Sequence, residues 1–350
     1  MSRCRMPKPT RKAVRPSVVL AAGLLAGAVA AAASVHQTPA RASDSCPLAH
    51  PMQATCGVLV GSTGNLEGVE TTLAQSLARQ EGAIGRKLDI VHTYHTGAQD
   101  FPTPQEVAIA TDTSNDRLLF LNWKPENGST WAEVAAGRQD VAIDALAERI
   151  TQRMPYVPFY FACHHEPEEE VRGQGSGFTA ADYVAMCRRV IQRLGPKTNW
   201  AAQVVWNMMG YEKWGNQGMY DQLWLGDDVV QWIAMDKYAQ KGVPLRSIVD
   251  SHDSPAFPGF YTWATTKHPG KPIMLAEYGA SGTPAERASA ISSLPGDLRG
   301  LPAIKAVVFF NHTVDGVTNG MNYSFDDDPS VSAAARRALN DAYLNTRALG

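Results

Sequence analysis

Apolar positions along this chain fall into short β-type runs separated by longer stretches with helical spacing. Runs at 56–61 (CGVLVG), 87–92, 117–121 (RLLFL), 157–163, 201–206 (AAQVVW), 272–276 and 304–310 (IKAVVFF), with one more inside 229–236, read as eight strands. Helices are predicted over 66–80, 140–154, 179–194, 257–267, 283–293 and 330–344. The segment 140–154 carries Val141, Ile143, Leu146, Ala147 and Ile150 as one apolar stripe. At 179–194, Thr179 and Asp182 resemble a capping box, and Gly195-Pro196 is expected to stop the helix. Strands alternating with helices imply parallel pairing, and eight such units imply a closed (β/α)8 TIM barrel. The alternative is an open doubly wound sheet, but no GxGxxG opens the first unit.

Composition adds limits. The chain has 350 residues, 44% hydrophobic and 19% charged, with a net charge of −2. Length alone suggests two domains, but an α/β barrel uses about 250 residues as one. We therefore expect a single barrel domain over 43–350. Near-neutral charge gives no electrostatic case for nucleic acid or an anionic membrane. Residues 1–42 read as a secretory signal. Arg3, Arg5, Lys8, Arg11, Lys12 and Arg15 form a basic start, 17–33 is apolar, and Ala40-Arg41-Ala42 fits a small-x-small cleavage site. The alternative is a retained anchor, although the segment is short for a spanning helix. Export permits disulfides. Cys46, Cys56, Cys163 and Cys187 remain after cleavage, and three pairings are open.

The chemistry concentrates at strand ends. The stretch 157–168, VPFYFACHHEPE, runs five apolar or aromatic residues into Cys163, His164, His165 and Glu166. PIMLAEYG at 272–279 has the same grammar and ends on Glu277. Barrels keep their chemistry at the carboxyl ends of strands, so Glu166 and Glu277 are expected to face one mouth. A carboxylate pair there suits glycoside hydrolysis, one group protonating the leaving oxygen and the other attacking or activating water. Sequence neighbours on a strand point to opposite faces, so one of His165 and Glu166 could face inward while the other packs, a rule that loosens at strand ends. Tyr94, Trp123, Trp206, Trp232 and Tyr238 sit at other strand ends. Flat rings can stack on the C–H faces of sugars, and two or three of these five are expected to meet substrate. Asp227, Asp228 and Asp236 add polar groups around the sixth strand, with Asp228 a possible helix or turn cap. A metal site at His164, His165 and Glu166 lacks an HExxH pattern or a second ligand cluster.

HHEPE at 164–168, GDDVVQWIAMDKY at 226–238 and LAEYG at 275–279 together resemble glycoside hydrolase family 26. GVLVGS at 57–62, GRKLDIVHTY at 85–94 and LNWKPE at 121–126 are consistent with that resemblance. It implies a (β/α)8 retaining glycosidase with Glu166 as acid/base and Glu277 as nucleophile. It also implies that His165 is the His before the acid/base, that Tyr238 lies against the nucleophile, and that Trp123 lines the subsite nearest cleavage. The family holds mainly endo-β-1,4-mannanases, with β-1,3-xylanases and mixed-linkage β-glucanases beside them. Two departures touch the cleft. Glu168-Glu169-Glu170 and a glycine-rich loop follow the acid/base, and the last strand ends in Phe310-Asn311-His312 where a Trp is often found.

The resulting expectation is a secreted, cofactor-free and metal-independent endo-β-glycanase acting on β-1,4-mannan or a related polysaccharide or oligosaccharide. Glu166 and Glu277 would be catalytic, and His165, Trp123, Tyr238, Trp206 and Trp232 substrate-binding. It would act as a monomer, with no nucleic-acid partner and no membrane contact after signal cleavage. The rivals are a non-catalytic carbohydrate-binding protein on the same fold and a metallohydrolase using the His pair.

Overall fold

A computed structural model describes residues 46–346 apart from 67–69, 254–255 and 314–319. The expected signal segment lies outside the described residues. Eight parallel strands close a barrel in sequential order. They are β1 (Leu59–Thr63), β2 (Ile90–Thr96), β3 (Leu118–Lys124), β4 (Phe159–Cys163), β5 (Ala202–Met208), β6 (Trp232–Gln240), β7 (Ile273–Ser281) and β8 (Ile304–Phe309). A helix follows each strand: α1 (Leu73–Ile84), α2 (Pro104–Ala110), α3 (Asp140–Arg153), α4 (Ala180–Lys197), α5 (Met219–Leu223), α6 (Phe260–Lys267), α7 (Pro284–Arg299) and α8 (Pro329–Leu339). Among the described residues no helix is long and apolar enough to cross a membrane.

Local signals explain most element starts. Thr179 and Asp182 form the expected capping box on α4. α1 starts later than its apolar spacing suggests, because Thr72 and Gln75 cap it reciprocally. α4 and α7 run past their expected ends, through Pro196 and Pro295. In α4 the proline lies in the last turn, where the helix loses little by it, and the cap Thr198 N–H still reaches the Leu194 carbonyl.

Strand alternation splits the apolar side chains into two layers. Leu59, Phe120, Tyr160, Val205, Ala234 and Met274 fill the barrel, while Val60, Leu121, Phe161, Val204, Ile233 and Leu275 face the helices. A short ribbon, Leu48–Ala49 with Gln53–Ala54, joins the inner cluster through Ala54. The disulfide Cys46–Cys56 staples it, and Cys163–Cys187 ties β4 to α4.

This layering corrects three expected sugar platforms. Trp206 is fully buried on the outer face of β5, among Tyr220, Trp224, Phe260 and Trp263, and its indole donates to the Leu223 carbonyl. Trp232 starts β6 and points into the barrel floor, donating to the Pro51 carbonyl of the ribbon at 2.7 Å. Trp123 faces outward against Phe101 and donates to the Gly97 carbonyl at 3.0 Å. Each has the strand parity or the strand end that the core needs, so none of the three reaches substrate.

Trp206→Ala is expected to lower the unfolding free energy by about 3–5 kcal/mol in urea titration. A loss below about 1 kcal/mol would contradict its place in the core.

Candidate active site

Glu277 reaches the barrel mouth through an irregularity in β7. Met235 pairs with Leu275, but Asp236 pairs with Glu277; on the other side Val307 pairs with Leu275 and Phe309 with Tyr278. β7 therefore carries one extra residue relative to both neighbours. Ala276 faces the barrel interior and Tyr278 the helices. The bulge lets Glu277 stay inward where strict alternation would turn it out. Its carboxylate is only 6% exposed and accepts the Tyr94 hydroxyl at 2.6 Å and the Tyr238 hydroxyl on its other oxygen. Burial raises the Glu277 pKa, and the two hydroxyl donors oppose that rise.

Glu166 arrives by a different distortion. His164 and Glu166 both take left-handed backbone, with φ of 58° and 49°. The first turn throws the His164 side chain outward, beside Trp131 and Tyr183. His165 then meets Tyr94, with ring centroids 5.5 Å apart, and Glu166 faces the carboxylates of Asp236 and Glu277. Alternation therefore fails across this strand end. Backbone bonds hold the kink: His164 N–H donates to the Trp123 carbonyl at 2.9 Å and Glu166 N–H to the Asn207 carbonyl at 3.1 Å. Burial and the negative charge of Glu277 push the Glu166 pKa up to about 8. Glu166 thus holds its proton at neutral pH while Glu277, between two hydroxyl donors, is the better placed anion.

Sequence reasoning left several neighbours unassigned. Asp236 is fully buried beside this pair, accepts the Asn207 amide at 3.1 Å, and is driven well above the usual carboxylate range by burial and by Glu277. It is the inward residue two before Tyr238, a parity readable in the sequence. Tyr211 is 42% exposed, and its hydroxyl sits in the field of Glu166. The loop before it is pinned from two sides. The buried Glu168 accepts Met209 N–H at 2.7 Å, and the buried Lys237 donates to the Gly210 carbonyl and lies 4.4 Å from the Tyr211 ring centroid. Gly210 has φ of 71°, and a Cβ there would come within 3.1 Å of Met235. No local pattern marked Tyr211, since its role arises from the turn after β5. Beside Tyr94 opens a cavity of about 330 Å³, lined by Asn65, His92, His95 and Gln105 among others.

His164 anchors the segment that carries Glu166. Its Nε2 lies 2.8 Å from Glu126 and 3.3 Å from Glu170, and its Nδ1 lies 3.0 Å from the His165 carbonyl. Lys124 pairs with Glu170 at 2.7 Å, and the Trp131 indole donates to Glu126 at 2.8 Å. The ligating atoms of Glu126, His164 and Glu170 lie within 4.8 Å of one another, close enough for a metal ion. Two carboxylates against Lys124 and a protonated His164 would also balance without one, and the upward shift of the His164 pKa favours that form. Burial lowers the His164 pKa, but the hydrogen bonds to Glu126 and Glu170 outweigh it and leave it raised.

A raised histidine pKa stabilises the fold fully below the unfolded value and loses that contribution as pH rises through the folded value. The stability gap between wild type and His164→Gln, read from urea titrations, is therefore expected to narrow as pH rises from about 6 to about 9. A gap that stays flat over that range would exclude an imidazolium at this position.

No family model matches the chain, and no curated protein does. Solved structures do match it. A ruminal GH26 endo-β-1,4-mannanase is 14% identical, covers 83% of this chain and 65% of its own, and has a TM-score of 0.56. The GH26-CBM35 β-(1,4)-mannanase of Podospora anserina is 16% identical, with 82% and 62% covered and a TM-score of 0.55. The catalytic domain of the Bacillus sp. JAMB-750 GH26 endo-β-1,4-mannanase is 17% identical, with 83% and 88% covered and a TM-score of 0.56. This chain spans a little under two thirds of the first two, at 65% and 62%. At such low identity the likeness is one of architecture, and the chain has the (β/α)8 fold seen in these mannanases.

Proposed function

We propose that this protein is a secreted retaining endo-β-glycanase, with β-1,4-mannan as its first candidate substrate. The observation that carries the reading is the split within one buried carboxyl cluster. Glu277 is held between two tyrosine hydroxyls, and Glu166 has a pKa of about 8. That is the division of labour double displacement requires. Glu277 attacks the anomeric carbon as Glu166 protonates the departing glycosidic oxygen, giving a covalent glycosyl-enzyme. Glu166, now ionised, takes a proton from water, which attacks the same carbon and releases Glu277. Inversion at each step leaves the anomeric configuration unchanged. His165 and Tyr238 flank the reacting pair, and Tyr211 offers an exposed ring for a sugar face. Mannan as substrate is supported by the mannanase activity of the structural neighbours and by the family resemblance of the strand-end motifs.

A reducing-sugar assay on β-mannan, galactomannan, β-1,3-xylan, mixed-linkage β-glucan and cellulose tests this reading. Wild type is expected to hydrolyse at least one. Glu166→Ala and Glu277→Ala are each expected to lose roughly 10³-fold or more in kcat while keeping wild-type far-ultraviolet circular dichroism. Binding without turnover by the wild type would leave a carbohydrate-binding protein instead. Proton NMR of the first product is expected to show the anomeric configuration of the substrate.

The pH profile of kcat/KM follows from the same cluster. Glu166 must be protonated, so activity is expected to fall above about pH 8. Glu277 must be ionised, and its raised pKa places the acid limb above the ordinary carboxylate range. Tyr238→Phe removes a donor from the anion, so the acid limb is expected to move to higher pH. A limb that stays in place would count against Glu277 as the nucleophile.

A further inference from the structure

The opposite face of the barrel presents a second arrangement of aromatic and polar groups. Trp200 lies just before β5, at the N-terminal end of the strands, and is 60% exposed. An indole this open would ordinarily be buried. The backbone is bent to expose it, since Asn199 and Trp200 both take left-handed φ, at 52° and 56°. Bulky residues adopt that conformation only where surrounding structure enforces it, and such strain concentrates at functional sites. Here Trp200 N–H donates to the Gly195 carbonyl at 2.8 Å. The six-membered edge of the indole rests directly on Gly195, where a Cβ would come within 2.2 Å of the ring. Gly195 therefore sits inside α4 as the seat of the Trp200 ring. Tyr156, 83% exposed and at φ of 61°, stands on the loop before β4. β4 pairs with β5 through Phe159 and Ala202, so the two loops are neighbours on one face.

Trp200 borders a cavity of about 270 Å³ whose polar lining includes Arg188, Gln192, Gln203, Asp228 and Gln231. Arg188 and Asp228 form a two-pronged pair at 3.0 and 2.8 Å, which puts donors and an acceptor side by side. The Gln203 Oε1 is buried with no hydrogen-bond partner. Asp228 cancels Arg188, and with His50 as the remaining titratable group on the lining the cavity carries no fixed net charge to attract phosphate. The amides favour hydroxyl groups over an apolar protein surface. A flat, rigid ring beside neutral donors and acceptors matches a pyranose, which has one apolar C–H face and a rim of hydroxyls.

We propose that the Trp200 cavity is a second carbohydrate-binding site, which takes a hexopyranose unit of a β-linked polysaccharide and tethers the protein to the polymer. The polymer class rests on the glycanase reading above. The site lies at the end of the barrel remote from Glu166 and Glu277, so it acts on capture and not on bond cleavage. Two tethers on one polymer raise the effective affinity without a new contact at the cleft.

The test is native electrophoresis of the Glu277→Ala protein through gels containing galactomannan, glucomannan, mixed-linkage β-glucan or β-1,3-xylan. Retardation is expected in at least one gel. Adding Trp200→Ala is expected to weaken it about tenfold, and Trp200→Phe to restore part of it. Trp200→Ala in the otherwise wild-type protein is expected to hydrolyse a short oligosaccharide at an unchanged rate. No retardation in any gel, or equal retardation with Trp200→Ala, would overturn the proposal. So would a dimer in sedimentation velocity that Trp200→Ala dissolves, since that would make the face a contact between copies. If Trp200-dependent retardation persists while the wild type hydrolyses nothing, the second site stands and the glycanase reading falls.

Discussion

Three carboxyl groups set side by side at one barrel mouth cannot all be ionised. Glu166, Asp236 and Glu277 each lie in the field of at least one of the others, and burial raises all three. In a low-dielectric site the charge settles where hydrogen-bond donors are already aimed. Tyr94 and Tyr238 aim theirs at Glu277. The tyrosines therefore decide which carboxyl is the anion, and the anion in turn keeps Glu166 protonated. In the proposed mechanism the acid and the nucleophile are distinguished by neighbours and not by residue type.

Holding that cluster requires the barrel to break its own regularity at two places. β7 takes in an extra residue so that Glu277 stays inward. β4 ends in two left-handed residues so that His165 and Glu166 both serve the mouth while His164 is sent outward. Both distortions are braced. The β7 bulge lies between β6 and β8, which pair with it on both sides of the extra residue, and the β4 kink is held by Trp123 and Asn207 backbone bonds and by the Glu126–His164–Glu170 clasp. Strained geometry persists only where the surroundings over-determine it, and both irregularities meet that condition.

The two ends of the barrel divide the work of the aromatic residues. Trp232 seals the floor against the ribbon, and Trp123 and Trp206 join strands to helices. Among the described residues the exposed aromatic rings are Tyr211 after β5, and Trp200 and Tyr156 at the opposite face. Exposure, rather than ring type or position at a strand end, separates these rings from the core.

The eight-strand alternation, the parallel barrel and the location of Glu166 and Glu277 at strand ends were legible in the sequence, because period-two apolar runs and caps such as Thr179–Asp182 are local signals. The aromatic assignments were not. Trp123, Trp206 and Trp232 differ from Tyr238 only in strand parity and strand end, which depend on where each strand starts in the closed sheet. The sequence could not show that β7 carries an extra residue at Glu277, since a bulge exists only relative to paired neighbours. Nor could it show that His164 turns away from His165, that Tyr211 lies in the field of Glu166, or that Gly195 seats Trp200 where a helix stop was expected. Those are contacts between residues distant in the chain or turned against their local pattern, and folding alone brings them together.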